Sequence, residues 1–365
     1  MSNDTNRVQY GVFLPSGRNG HIPSAGVPQM DPTFEQNLRL TKMAEDFGME
    51  FVIAMVKYRG PGGETGFWDV NLDSFTLAAG LLARTSRIKV FPSAGLLSLN
   101  PAVTAKMIAT LDSIAPGRVG LNIVTGWNPM EYSQMGMWPG DEYFSYRYEY
   151  AAEYVQILRD LWNKGVSDFR GKYFRFEDCN GRPQPSGPID VVCAATSSKG
   201  REFVAAYAEQ NLLNVGFAPV SEAAGEIAER AERHGRPVSA NAQVTIVLAD
   251  SDAEAIERVA YINETTDQSA FADRRKQGAR DAGNSGTGAW FASSVQALEE
   301  GAYIAGGPAT VAERLREVES TPGVGQINLI FDDYDDGLPR FGREVLPLLR
   351  PVDPVSVGLA QASMS

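Results

Sequence analysis

Cysteine and histidine are scarce: among 365 residues there are two of each, Cys179 and Cys193, His21 and His234. Two cysteines cannot build a disulfide framework. Two histidines outside any HxH or HExxH context leave too few donors for a zinc or iron centre. Positive charge is also short. Lys and Arg number 33 against 45 Asp and Glu, a net charge of -12, so no basic stripe exists to neutralise phosphates and a nucleic-acid partner is excluded. No apolar run approaches bilayer length, which excludes a membrane partner. The polar start Met1–Arg7 runs straight into a strand-like segment with no visible signal peptide, so a cytoplasmic protein is expected. A GxGxxG after the first strand-like run is missing too. Pro15-Ser16-Gly17-Arg18-Asn19-Gly20 stands there and opens no helix, which argues against a doubly wound dinucleotide fold.

What is present repeats one theme: a short β-branched run, a loop, then a segment of helical period. The strand-like runs are Tyr10–Leu14, Phe51–Met55, Ile88–Ser93, Val119–Val124, Ile189–Ala194, Leu212–Val215, Gln243–Ala249 and Gln326–Phe331. That makes about eight, the number a closed (β/α)8 TIM barrel requires. Between them the period predicts helices over Phe34–Phe47, Asp73–Ala83, Pro101–Ile114, Ser145–Asn163, Lys199–Ala208, Glu222–His234, Ala253–Thr265 and Ala309–Val318, with Pro339–Leu349 closing the chain. Gly48 falls where a helix C-cap belongs, and Pro101 suits a first helical turn. Residues 1–365 therefore read as a single barrel domain of the α/β class. Two insertions interrupt it at the C-terminal face, near 127–145 and 267–295, the second a polar excursion too long for a plain connector. Lys164–Asp178 reads as a small hairpin.

Functional residues of such a barrel sit at the C-terminal strand ends. Those ends offer Val56-Lys57, Ser93, Asn122 to Trp127, Thr196 to Gly200, and Asp332-Asp333. They hold no histidine and no cysteine with a base; general acid–base and covalent catalysis need such groups within hydrogen-bond reach. Amides, hydroxyls and aromatics instead suit a bound cofactor that brings its own reactivity. Thr196-Ser197-Ser198-Lys199-Gly200, between a strand and a helix start, is built to hold a phosphate or simply to cap the helix. Arg147 and Tyr148 open a helix and either join that phosphate or stand in solvent. Gly306-Gly307 reads as a second cradle or as a turn. Asp332, Asp333, Asp335 and Asp336 read as a solvated acidic loop rather than a cation site. Asn122 either pins the barrel mouth or bonds a cofactor ring, and Trp127 either walls a substrate slot or belongs to the core.

Longer motifs add a resemblance. Gly11-Val12-Phe13-Leu14-Pro15, Phe67-Trp68-Asp69, Asn122-Ile123-Val124-Thr125-Gly126-Trp127, Met135-Gly136-Met137-Trp138-Pro139-Gly140-Asp141, Arg147-Tyr148 and Phe331-Asp332-Asp333 make the sequence similar to the bacterial luciferase-like flavin monooxygenases. Within that superfamily it most resembles the pyrimidine (uracil) monooxygenases of uracil degradation. The resemblance implies FMN contacts at Val56, Lys57, Asn122, Glu131, Arg147, Tyr148 and Ser197. It places Ser93, where the family has threonine, and Asn122 beside the oxygen-reacting face of the flavin, with Trp127 on the substrate side. It further implies reduced FMN from a separate NAD(P)H:flavin reductase, O2 as co-substrate, a flavin N5-peroxide, and a small heterocycle opened to a ureidoacrylate-type product. A homo-oligomer is expected. His21–Gly26 and Glu299–Pro308 depart from the uracil enzymes, and these loops would line the substrate mouth. Another N-heterocycle such as a pyridine, or a sulfone or sulfonate, is the alternative substrate. A flavin-binding protein without turnover and a deazaflavin-dependent dehydrogenase are the alternative classes.

Overall fold

A computed structural model describes residues 7–214, 220–281 and 294–350. The strands are β1 Gln9–Phe13, β2 Phe51–Ala54, β3 Lys89–Gly95, β4 Gly120–Val124, β5 Val166–Ser167, β6 Cys179–Asn180, β7 Asp190–Ala194, β8 Gln210–Asn214, β9 Ser239–Leu248, β10 Tyr303–Gly306 and β11 Val324–Phe331. In space β9, β11, β1, β2, β3, β4, β7 and β8 follow one another, and β8 pairs back to β9, so eight parallel strands close a barrel. All eight expected strands are present within a few residues. The end of the sixth, at Val215, lies outside the described residues.

One strand was not expected. β9 gives its first half, Ser239–Gln243, to β8 and its second half, Thr245–Leu248, to β10, so β10 extends the wall where β8 leaves off. The expected hairpin is also there: β5 pairs antiparallel with β6, and Arg170 bridges Arg175.

Each barrel strand is followed by helix, and local chemistry fixes where the helices start. The helices are α1 Phe34–Asp46, α2 Ser74–Arg84, α3 Pro101–Ile114, α4 Pro129–Ser133, α5 Tyr143–Lys164, α6 Ser198–Tyr207, α7 Val220–Arg233, α8 Asp252–Glu264, α9 Gln268–Gly278, α10 Pro308–Glu319, α11 Tyr334–Arg340 and α12 Leu346–Leu349. Thr33, Asp73, Asn100, Ser197, Ser251 and Asp267 each accept a backbone N–H of the turn they cap. Pro101 opens α3, and Gly48, at φ 76°, follows α1 as its position suggested. The closing helix is broken: a π-helical turn, Phe341–Val345, separates α11 from α12.

The polar excursion proves to be partly helical. α9 and a 3-10 turn, Ala279–Asp281, occupy its first part, while 282–293 lie outside the described residues. Its helical character was hidden because the buried face of α9 carries Arg274, Gln277 and Gly278 beside Ala270 and Phe271. An apolar stripe, the usual mark of a helix, is therefore missing.

Inside the barrel the side chains divide into two halves. Phe51, Ile53, Phe91, Val192 and Leu212 pack into one apolar cluster. A side chain at Gly120 would run into the Phe91 ring, and one at Gly11 into Phe51, which is why glycine stands at both. The other half is built of amides: Gln210, Asn241, Gln243 and Asn328, with Asn241 Nδ2 donating to Gln210 Oε1 at 3.0 Å. The mouth above these layers carries the cavity. No helix among the described residues is long and apolar enough to cross a membrane.

Candidate active site

A cavity of about 260 Å³ opens at the C-terminal strand ends. Of the residues expected there, Val56, Lys57, Asn122, Trp127, Arg147 and Tyr148 line it. Ser93, Glu131 and Ser197 stand behind them, bonded to the lining residues Asn122, Lys57 and Tyr148 in turn.

Asn122 is held by its neighbours on the sheet. Ser93 lies opposite it in register, and Asn122 Nδ2 donates to Ser93 Oγ at 2.9 Å. Ser93 Oγ in turn donates to Ala54 O at 2.6 Å, so its proton is committed and it can only accept from the amide. This settles the amide orientation: Oδ1 is the atom left over, buried and with no hydrogen-bond partner. A buried bare acceptor costs free energy unless a ligand or water answers it, and Asn122 borders the cavity.

Past β2 the chain places Lys57 on one wall. Its Nζ is 2.8 Å from Glu131 Oε2 of α4, and both side chains are under 10% exposed. The other carboxylate oxygen accepts from Tyr58 N at 2.9 Å. Lys57 Nζ also lies 5.3 Å from the ring centroids of both Trp68 and Trp127, so the ammonium is sandwiched between indoles. We call this the aromatic corner.

A second corner joins α5 to the start of α6. Arg147, 4% exposed, donates through Nη1 to Asp281 Oδ2 at 2.7 Å and lies over the Tyr148 ring. Its Nε is buried without a partner, as is Thr196 Oγ1 at the foot of α6. Ser197 Oγ caps α6 by accepting from Gly200 N at 3.2 Å and also bonds Tyr148, whose phenol burial pushes up. A Cβ at position 200 would lie 2.5 Å from the Tyr148 hydroxyl oxygen, so glycine is required for the phenol to approach the helix start. A helix N-terminus, a guanidinium and hydroxyls with vacant bonding capacity have the chemistry to hold an anion such as phosphate. Behind it Cys193 is fully buried, and burial pushes its thiol up to about 12.

Several residues around the cavity carried no individual role in the sequence reading. His21 lines it, stacked on Phe13 at 4.4 Å, and burial pulls its imidazole down to about 4, so the ring is neutral. Trp68 was visible only as part of a motif. Arg274 of α9 and Gln243 of β9 also line the cavity, and Gln243 Oε1 is buried without a partner. Nothing local in the sequence marks Asp281 as the partner of a residue 134 positions away. His21, Pro23 and Glu299 put the two departing loops at the mouth, as expected.

One open reading is settled and another needs correction. Gly306 and Gly307 do not line the cavity: they end β10 and begin α10, and Gly307 N donates to Asp252 Oδ1 at 2.8 Å, so the plain turn is what the structure shows. Asp332 is not solvated. It is 6% exposed, burial pushes its carboxyl up to about 6, and it pairs with Arg258, while Asp333 caps α11. No cluster among the described residues could hold a metal ion.

A closed parallel barrel whose mouth offers amides, indoles and a cluster of polar donors suits a cofactor-using barrel enzyme. The chain matches the model of the luciferase-like monooxygenase family over residues 8–324, and it belongs to that family. It is a flavin-dependent monooxygenase. It is 43% identical over 353 residues to the pyrimidine monooxygenase RutA of Methylorubrum extorquens, covering 94% of this chain and 96% of that one. The pyrimidine monooxygenase RutA of Pseudomonas syringae is 41% identical over 350 residues, with 94% and 96% covered. Among solved structures, riboflavin lyase with modified FMN and riboflavin superposes with a TM-score of 0.79 at 19% identity, covering 94% of this chain and 92% of that chain. EDTA monooxygenase from Chelativorans gives 0.77 at 20%, with 95% of each chain covered. Identities this low establish the shared fold.

Proposed function

We propose that this protein is the oxygenase component of a two-component system that uses FMN to open a pyrimidine ring oxidatively, uracil being the first substrate to test. The observation that carries the FMN reading is unanswered polar capacity on residues that line one cavity. Asn122 Oδ1 is an unanswered acceptor, and Arg147 Nε and Thr196 Oγ1 are also unanswered. The long, near-complete identity to pyrimidine monooxygenases supports the substrate.

Reduced FMN, delivered by a separate NAD(P)H:flavin reductase, would supply together with O2 the oxygen-transfer chemistry. The chain's own residues do the rest. Arg147, Tyr148 and the capped start of α6 would hold the phosphate. Asn122, its orientation fixed through Ser93 and the Ala54 carbonyl, presents an acceptor at the strand ends, where oxygen transfer would take place. Lys57, pinned by Glu131, and the indoles of Trp68 and Trp127 form a rigid wall that orients a flat ring and keeps water from it.

The test is a panel of uracil, thymine, pyridines and sulfones with a generic flavin reductase, read by product mass. A ring-opened ureidoacrylate-type product, formed only with O2 and reductase, is the expected result. Oxygenation of a pyridine or sulfone with uracil untouched overturns the substrate. Asn122→Ala should slow substrate oxidation by about 10²-fold, the scale of losing one oriented polar contact at a reacting centre, while FMN affinity changes little. Unchanged product yield would remove Asn122 from the reaction.

A further inference from the structure

Among the described residues three carboxamides border the cavity, and they differ in what is already committed. Asn122 gives its Nδ2 donor to Ser93, and Gln296 Oε1 accepts from Asn263 Nδ2 at 3.5 Å. Gln243 has committed neither atom. Its Oε1 is buried without a partner, and no hydrogen bond of its carboxamide is found among the described residues. It therefore presents a donor and an acceptor side by side, whichever way the amide is turned.

The fold makes this a property of the cavity floor. By the alternation of a strand, β9 turns Gln243 and Thr245 to the cavity and the buried Ala242 and Val244 to the opposite face. The cavity thus reaches down the inner face of β9 well short of the strand's end at Leu248. On the flanking strands the lining residues include Leu212 and Ile330, whose side chains hold no polar atom. Asn328, the register partner of Gln243 on β11, is fully buried, and neither its Oδ1 nor its Nδ2 has a partner. The neighbouring strand therefore does not answer Gln243. A buried acceptor left bare is costly, and this one belongs to a residue that a ligand in the cavity would meet.

We infer that Gln243 is a specificity-determining residue that selects heterocycles carrying a lactam edge, a ring N–H beside a ring carbonyl, over rings that offer acceptors alone. The ring N–H donates to Oε1 and the ring carbonyl accepts from Nε2. Glutamine reads the donor–acceptor edge of adenine by the same two-point pairing. A pyridine nitrogen or a sulfone would leave Oε1 unanswered, and a polar site rejects a ligand that does so. This deepens the pyrimidine reading, uracil being one such lactam, and rests on it only for the ring being a pyrimidine.

The experiment uses the full chain loaded with FMN and reads dissociation constants by calorimetry for uracil, 2-pyridone and 2-pyranone. The last two are rings of equal size that differ by N–H against oxygen at one position, so the hydrogen bond is removed without added bulk. 2-Pyridone should bind about tenfold or more tightly than 2-pyranone, the scale of leaving one buried acceptor unmet. Gln243→Met keeps the length of the side chain and removes both polar atoms. It should bring the two rings within about threefold and weaken uracil about tenfold, with FMN affinity unchanged. If Gln243→Met fails to fold, the unmodified protein still decides: equal affinities for 2-pyridone and 2-pyranone overturn the inference, while uracil binding there leaves the pyrimidine reading intact. An unchanged ratio in Gln243→Met overturns it as well, the result expected of a carboxamide answered by water. Loss of FMN affinity in that variant, with the ratio unchanged, overturns it by assigning Gln243 to the flavin. A preference for 2-pyridone that depends on Gln243, with no uracil bound, supports the lactam site and overturns the pyrimidine reading instead.

Discussion

The two corners of the cavity each hold a buried ion pair, yet they are finished to different degrees. In the aromatic corner Glu131 spends both oxygens, one on Lys57 and one on the Tyr58 N–H. In the anion corner Arg147 meets Asp281 but keeps a bare Nε, with Thr196 Oγ1 bare beside it. Buried polar groups in folded proteins are bonded as a rule, so a pair completed within the chain is structure, and a pair left incomplete beside a cavity has capacity for a ligand. On the proposed reading one corner is a wall and the other a socket, although each is built on a buried ion pair.

The largest effect that would break this contrast lies in the wall. Glu131→Ala leaves the Lys57 charge and the Tyr58 N–H unanswered in a dry setting, and should cost about 3–5 kcal/mol of folding stability. Chemical denaturation measures it, and an unmoved midpoint would mean that the pair bears no strain when broken. Next comes the socket. Arg147→Ala should weaken FMN by about tenfold to a hundredfold, the ~1.5–3 kcal/mol of a bond to a charged group. Riboflavin, which has no phosphate, is the control, and an equal loss for both ligands would show that Arg147 does not read the phosphate. The smallest effect sharpens the picture. Asp281 would face any dianion bound at Arg147, so Asp281→Asn should tighten FMN a few-fold, about 0.5–1 kcal/mol, through relief of like charge. Weaker FMN binding in that variant would assign Asp281 to holding the guanidinium in place instead.

How much of this was legible in the sequence follows from how local each signal is. Parallel strands buried on both faces are continuous apolar runs, so Phe51–Ala54 and Asp190–Ala194 announce themselves and the barrel with them. β10, four residues ending in glycine, has no such run and exists because β9 offers it an edge. α9 escaped because its inward face is polar where it borders the cavity. At the site, strand-end position alone singled out Asn122, Lys57 and Val56. Glu131 came from family resemblance, and its real partner, Lys57, emerged only in three dimensions. Arg274 and Asp281 sit on the segment that read as a polar loop, so the helix and the residues it carries were missed for the same reason.

The burial of Cys193 bears on how the chain would meet oxidants. Oxidants attack the thiolate, and a thiol pushed up to about 12 carries almost no thiolate at neutral pH. Cys179 is shifted in the same direction, also by burial. Hydrogen peroxide, on the proposed chemistry, would thus find both sulfurs in their sluggish form.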